Sequence, residues 1–148
     1  MDQHGYSRKR NCTYRLFFHL VFLTKGAKPL INEDSGPFII ERSRELFAIW
    51  NGEVIEGKYF PEYVDLFVSF DPGFEISSSV RSLKLQLSID LKKHFPDIFG
   101  KEYPDTGVWT SSYFLSSTGP DDVSNDISKY IDWIKTKRKR GRPKKKVE

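Results

Sequence analysis

Residues 53–70 read EVIEGKYFPEYVDLFVSF, two runs rich in β-branched and aromatic residues, with Pro61-Glu62 at the join. Each run has the length and residue types of a strand, and a proline at the break has no N–H to continue a ladder. Glu53–Phe60 and Tyr63–Phe70 therefore read as two strands, the second the stronger. Upstream, Thr13–Thr24 (TYRLFFHLVFLT) reads as a long, largely buried strand. Between them, Asp34 or Ser35 caps a helix with Pro37 in its first turn, where proline is tolerated. Ile39, Leu46 and Trp50 share one face of that helix, and Asn51-Gly52 stops it. Downstream, Ser77 caps a second helix reaching about Phe95, with Val80, Leu83, Leu87 and Leu91 in one stripe. Val108–Ser116 is a fourth strand. Asp121 opens a last helix, acidic in its first turn and basic at its end, as the helix dipole favours.

The order is β-α-β-β-α-β-α. Its first six elements are those of an α+β, ferredoxin-like fold (βαββαβ), an antiparallel sheet with helices on one face. The seventh is an added C-terminal helix that runs into a basic disordered tail. Three segments follow: a polar lead-in over 1–12, the α+β domain over 13–134, and the tail over 135–148.

Charge divides the chain the same way. Residues 1–134 are net acidic by about 4, whereas 135–148 hold nine Lys/Arg against Glu148 alone. Such asymmetry predicts an acidic partner reached through the tail. Cys12 is the only cysteine, which excludes an internal disulfide or a thiolate metal site. The start, MDQHGYSRKRN, lacks the apolar core of a signal peptide. The longest apolar stretch, LFFHLVFL, is far short of the roughly 20 residues of a span. The reading is a cytoplasmic, nucleoid-associated protein (nuclear in a eukaryotic host) with no membrane partner.

Three readings of the tail compete: a solvated charge run, a nuclear import signal, and a groove reader. Lys137, Arg138, Lys139, Arg140, Gly141, Arg142, Pro143, Lys144, Lys145 and Lys146 spell KRKRGRPKKK, which resembles the AT-hook. Its core is Arg-Gly-Arg-Pro with basic flanks. Glycine lets the backbone approach the groove floor, and proline keeps the strip extended. Two arginines then enter the narrow, negative minor groove of A·T-rich DNA, while lysines meet phosphates.

In the body, five stretches resemble, in order and spacing, the small single-tyrosine transposases of bacterial and archaeal insertion sequences (the 200/605 type). They are FHLVFLTKG (18–26), PEYVDLFVSFDP (61–72), VRSLK (80–84), WTSSYFLSSTG (109–119) and ISKYIDWI (127–134). That family belongs to the histidine–hydrophobic–histidine endonucleases. The resemblance implies cutting and rejoining of single-stranded DNA by a tyrosine that becomes linked to the 5′ phosphate. It also implies a divalent metal held by two strand histidines and a glutamine one turn after the tyrosine. Side chains two apart on a strand share a face, so both histidines can reach one ion.

The tyrosine position is kept as Tyr130, but the ligand positions are Tyr63, Asp65 and Ile134. Asp65 is the one remaining donor of the usual kind for Mg²⁺ or Mn²⁺, and one carboxylate makes a weak site. Glu62 and Asp132 are the neighbours that could help. Tyr130 is thus a vestigial nucleophile, and it also lies on a packing stripe with Val123, Ile127, Ile131 and Ile134. His19 reads as a core histidine, His4 and His94 as isolated, and the serine pairs 111–112 and 116–117 lack a nearby base. Basic surface for DNA hairpins is offered by Arg8, Lys9, Arg10, Arg15, Lys84, Lys92 and Lys93. The resemblance also implies a homodimer with sheets joined edge to edge, through the strand at 13–24 or that at 108–116.

The favoured reading is a DNA-binding, catalytically silent relative of these transposases that needs no cofactor. The first alternative is an active single-strand transesterase with a rebuilt Mg²⁺ or Mn²⁺ site around Asp65 and Tyr130. The second is a protein-interaction module whose tail holds polyanions without specificity.

Overall fold

The computed structural model describes residues 7–9, 12–14, 16–117 and 124–140. The hairpin of residues 53–70 is present as β4 (Gly52–Tyr59) and β5 (Tyr63–Phe70), antiparallel, with one irregularity between Val54 and Glu56. β5 pairs on its other side with β3 (Phe17–Leu23), and β3 pairs with β6 (Phe114–Ser116). The sheet order is β4-β5-β3-β6, antiparallel throughout. This is the ferredoxin-like α+β arrangement that the element order predicts.

Two helices cover one face. α1 (Ser35–Ile49) and α2 (Ile76–His94) pack Ile39, Phe47, Val80, Leu83 and Leu87 onto Leu20, Phe22, Val64, Leu66 and Val68. α1 lies close on β4 because the contacts there are glycines. A Cβ on Gly36 would stand 2.4 Å from the Tyr59 ring, and one on Gly57 would stand 2.7 Å from Ile40. Asp34 holds the N-cap position of α1, as expected, but its side chain makes no capping hydrogen bond. Asp34 and Ser35 donate backbone N–H groups to Asn32 Oδ1, so Asn32 supplies the cap through an Asx-type turn. α2 begins at Ile76, one residue before the expected cap Ser77.

α3 (Ser124–Arg140) covers the opposite face. Along β3 the side chains alternate: Leu20 and Phe22 join the larger core, while Val21 and Leu23 join a second one. Ile127, Ile131 and Ile134 of α3 complete this second cluster. Burial of each contributes roughly 1.5–3 kcal/mol gross. The ion pair between Lys135 Nζ and Glu62 Oε1, 2.8 Å, adds little because both side chains are partly in water.

Three boundaries move. The strand expected over Thr13–Thr24 divides. Cys12–Tyr14 (β2) pairs with Ser7–Lys9 (β1) in a separate two-stranded sheet, so the lead-in also carries a strand. The short range between these segments makes their pairing cheaper in loop entropy than a place in the main sheet. The strand expected over Val108–Ser116 is paired only at its ends, by a bridge from Trp109 to Thr24 and by β6. Between them the backbone leaves the ladder, and Lys84 Nζ donates to Thr110 O (2.6 Å) and Ser112 O (3.4 Å). Finally, α3 continues to Arg140, so the first six residues of the segment read as tail are helical. Residues 141–148 and Asp121 lie outside the described residues.

Candidate functional site on the α3 face of the sheet

β5 is inside the sheet, so its alternation sorts side chains cleanly. Val64, Leu66 and Val68 are buried toward α1 and α2, while Tyr63 and Asp65 share the face toward α3. The two strand positions singled out in the sequence are therefore side by side. Tyr130 packs into the same second cluster as Tyr63. The fold thus gathers Tyr63, Asp65, Tyr130 and Ile134 onto one face, from elements about 65 residues apart in the chain.

Their chemistry is another matter. Ile134 is 5% exposed and packed with Val21 and Leu23, and it has no donor atom. Tyr63 stacks on Phe60 with ring centroids 4.5 Å apart. Burial, then the charges of Asp65 and Glu62, push its phenol above the usual tyrosine range. It is a neutral phenol and a poor cation ligand. Asp65 Oδ1 lies 3.2 Å from His19 Nδ1. Glu62 faces Lys135, and Asp132 is exposed. Among the described residues, no three His, Cys, Asp or Glu side chains gather where a metal could be held. The positions that would serve a divalent ion do not fit one.

Tyr130 is half-buried. Its hydroxyl shares a hydrogen bond with Ser112 Oγ at 3.1 Å, and its ring lies 5.5 Å from that of Phe114 and 6.3 Å from that of Trp133. Burial raises its pKa above the ordinary value, and the Ser112 hydrogen bond opposes that shift. An attacking phenolate is thus disfavoured by its surroundings. Replacing Ser112 by alanine should raise the Tyr130 titration further and cost about 1 kcal/mol. An ultraviolet phenolate titration and a denaturant melt of Ser112→Ala check both. Stability held by the neutral tyrosines is complete below about pH 10 and falls as pH rises through their raised values.

Sequence reasoning missed His19 as a site residue. It projects to the α3 side, beside Asp65 and 4.9 Å from the Phe67 ring. The signal was its odd position, two before Val21, but the facing strand had to be known. Two of the lysines read as DNA surface also contact backbone. Lys84 donates to the carbonyls of Thr110 and Ser112, and Lys92 donates to Thr106 O. Burial and the charge of Lys25 lower the Lys84 pKa. Lys93 is exposed, and His94 lies against Phe38 at 4.9 Å. Side chains of Arg8, Lys9, Arg10, Arg15 and Lys137–Arg140 lie outside the described residues, as do Gly141, Arg142, Pro143, Lys144, Lys145 and Lys146. No described helix is long and apolar enough to cross a membrane.

The family model described as "Transposase IS200 like" matches residues 12–133. Among solved structures, a candidate transposase from Deinococcus radiodurans R1 is 21% identical, with TM-score 0.77 over 85% of this chain and 95% of that one. A REP-associated tyrosine transposase bound to a REP hairpin is 16% identical, with TM-score 0.48 over 91% of this chain and 74% of that one. No curated protein sequence matches.

Proposed function

Because this chain belongs to the IS200-like transposase family, we propose that it is a DNA-binding member that has lost strand-transfer chemistry. Its C-terminal Arg-Gly-Arg-Pro segment takes A·T-rich duplex, and its body, as a homodimer, takes single-stranded hairpins. It needs neither Mg²⁺ nor Mn²⁺, and it acts at the nucleoid in regulation or DNA architecture.

One observation carries the loss of chemistry. The position one turn after the tyrosine is filled by Ile134, sealed in the apolar cluster that holds α3 to the sheet. A metal ligand there would need a polar side chain where the packing excludes water. Tyr63 and Asp65 point the same way, the first neutral and the second beside His19. Without a metal, the scissile phosphate lacks the Lewis acid that would polarise it and stabilise its developing charge. Support for the DNA partner is the charge division of the chain, with nine cations in its last fourteen residues.

The test is a denaturing gel of the protein with end-labelled hairpins of randomised loop and flanks, in Mg²⁺ and in Mn²⁺, beside Tyr130→Phe. The expected result is retention in a parallel native lane and no adduct that survives denaturation. An adduct present in the wild type and absent from Tyr130→Phe would make the protein an active transesterase and end this reading.

A further inference from the structure

Five large hydrophobic side chains are exposed among the described residues, and three of them belong to the helix layer: Ile49 of α1, and Leu85 and Ile89 of α2. Leu85 is 62% exposed and Ile89 49%. They stand one turn apart, side by side on the helix. Arg81 lies one turn before them and Lys93 one turn after, both exposed. These four residues form one stripe, cation–apolar–apolar–cation, on the side of α2 away from the buried Leu83, Leu87 and Leu91. From this stripe we propose that the outer face of α2 is a docking surface for an acidic amphipathic helix of another protein.

The charge of α2 runs against that of the body. Residues 1–134 are net acidic, yet α2 carries Arg81, Lys84, Lys92 and Lys93 against one carboxylate, Asp90. Asp90 is already engaged toward α1. Its Oδ2 accepts from Arg42 Nε at 2.7 Å, and its Oδ1 accepts from Gln86 Nε2 at 3.1 Å. Arg81 and Lys93 have no ion pair among the described residues. Cations at the rim of an apolar centre select a partner with carboxylates at the matching spacing.

Other occupants fit less well. A second copy of this chain, turned about a two-fold axis, would set Arg81 against Lys93. Duplex DNA would meet cations about 18 Å apart, with two aliphatic side chains pressed on its phosphates between them. An extended peptide gains no main-chain bonds from a helix whose backbone groups are already paired. A helix of three to four turns satisfies the whole stripe. It sets two apolar side chains on Leu85 and Ile89, with Asp or Glu one turn to either side. Ile49 follows Arg42 by two turns, on the side of α1 from which Arg42 reaches Asp90, and so widens the apolar surface toward α1.

Nothing in this docking depends on the DNA-binding reading above, and hairpin DNA is titrated in parallel to keep the two apart. The full-length protein is panned with displayed alanine-based helical peptides randomised at four positions, each one turn from the next. Enriched peptides are then synthesised with a fluorophore for anisotropy. Leu85→Gln with Ile89→Gln removes the apolar centre at exposed positions, where a good helix former leaves the fold intact. Lys93→Glu reverses one end of the stripe. We expect enriched peptides to carry carboxylates at the outer positions and aliphatic residues at the inner ones. Their affinity should fall by about 10-fold in the double variant and in Lys93→Glu, and a lysine in place of the facing carboxylate should restore binding to Lys93→Glu. A library that yields no binder, or binders indifferent to these substitutions, overturns the inference. So does a double variant that loses hairpin DNA and keeps the peptides, because the face then belongs to nucleic acid.

Discussion

Truncation after Arg140 is expected to abolish the preference for A·T-rich over G·C-rich duplex and to flatten the salt dependence of binding. The removed residues include Arg142, Lys144, Lys145 and Lys146, along with Gly141 and Pro143 of the hook core. Each phosphate contact contributes a slope of about 0.9 in log K against log salt. The three lysines give about 2.7, so the drop in affinity between 50 and 200 mM salt should shrink by about 40-fold. Fluorescence anisotropy on two labelled duplexes across a salt series measures both effects. Unchanged A·T preference in the truncated protein would move DNA recognition to the body. The cut belongs after Arg140 because α3 runs to that residue and Lys135 is paired with Glu62. A cut at residue 134 would also remove the end of the helix that anchors Ile134, confusing lost binding with lost packing.

Ile134→Gln is the second large effect, this time on stability. It places at this position the residue that the active family pattern would carry, and the expected result is a destabilisation of about 2–5 kcal/mol. Ile134 is almost wholly buried against Val21, Leu23, Ile127 and Ile131. The substitution removes apolar contacts and buries an amide among mainly apolar side chains. Domains of this size are stable by about 5–15 kcal/mol, so a shift of that size is visible in a urea melt. Asp132→Gln, on an exposed position of the same helix, should stay within about 0.5 kcal/mol of the parent. A neutral Ile134→Gln would mean that the helix is not held by this stripe.

Tyr63, Asp65, Tyr130 and Ile134 were legible because strand alternation and helix spacing are local properties. That they meet on one face follows from the strand order β4-β5-β3-β6, which no local pattern states. His19 reads as a core residue because its neighbours are apolar, and only pairing with β5 puts Asp65 beside it.

By itself the sequence determined the element order, the stripes of α1, α2 and α3, and the acidic body with its basic end. These are carried by residue type and spacing over short windows, where propensity and burial act directly. Tertiary structure alone decided that Cys12–Tyr14 leaves the main sheet and that the chain leaves the ladder between Thr110 and Phe114, beside Lys84. It also decided that α3 closes the second face. Such choices are settled by competition among distant partners for the same backbone groups and the same apolar surface. The winner depends on loop entropy and on packing across the whole fold.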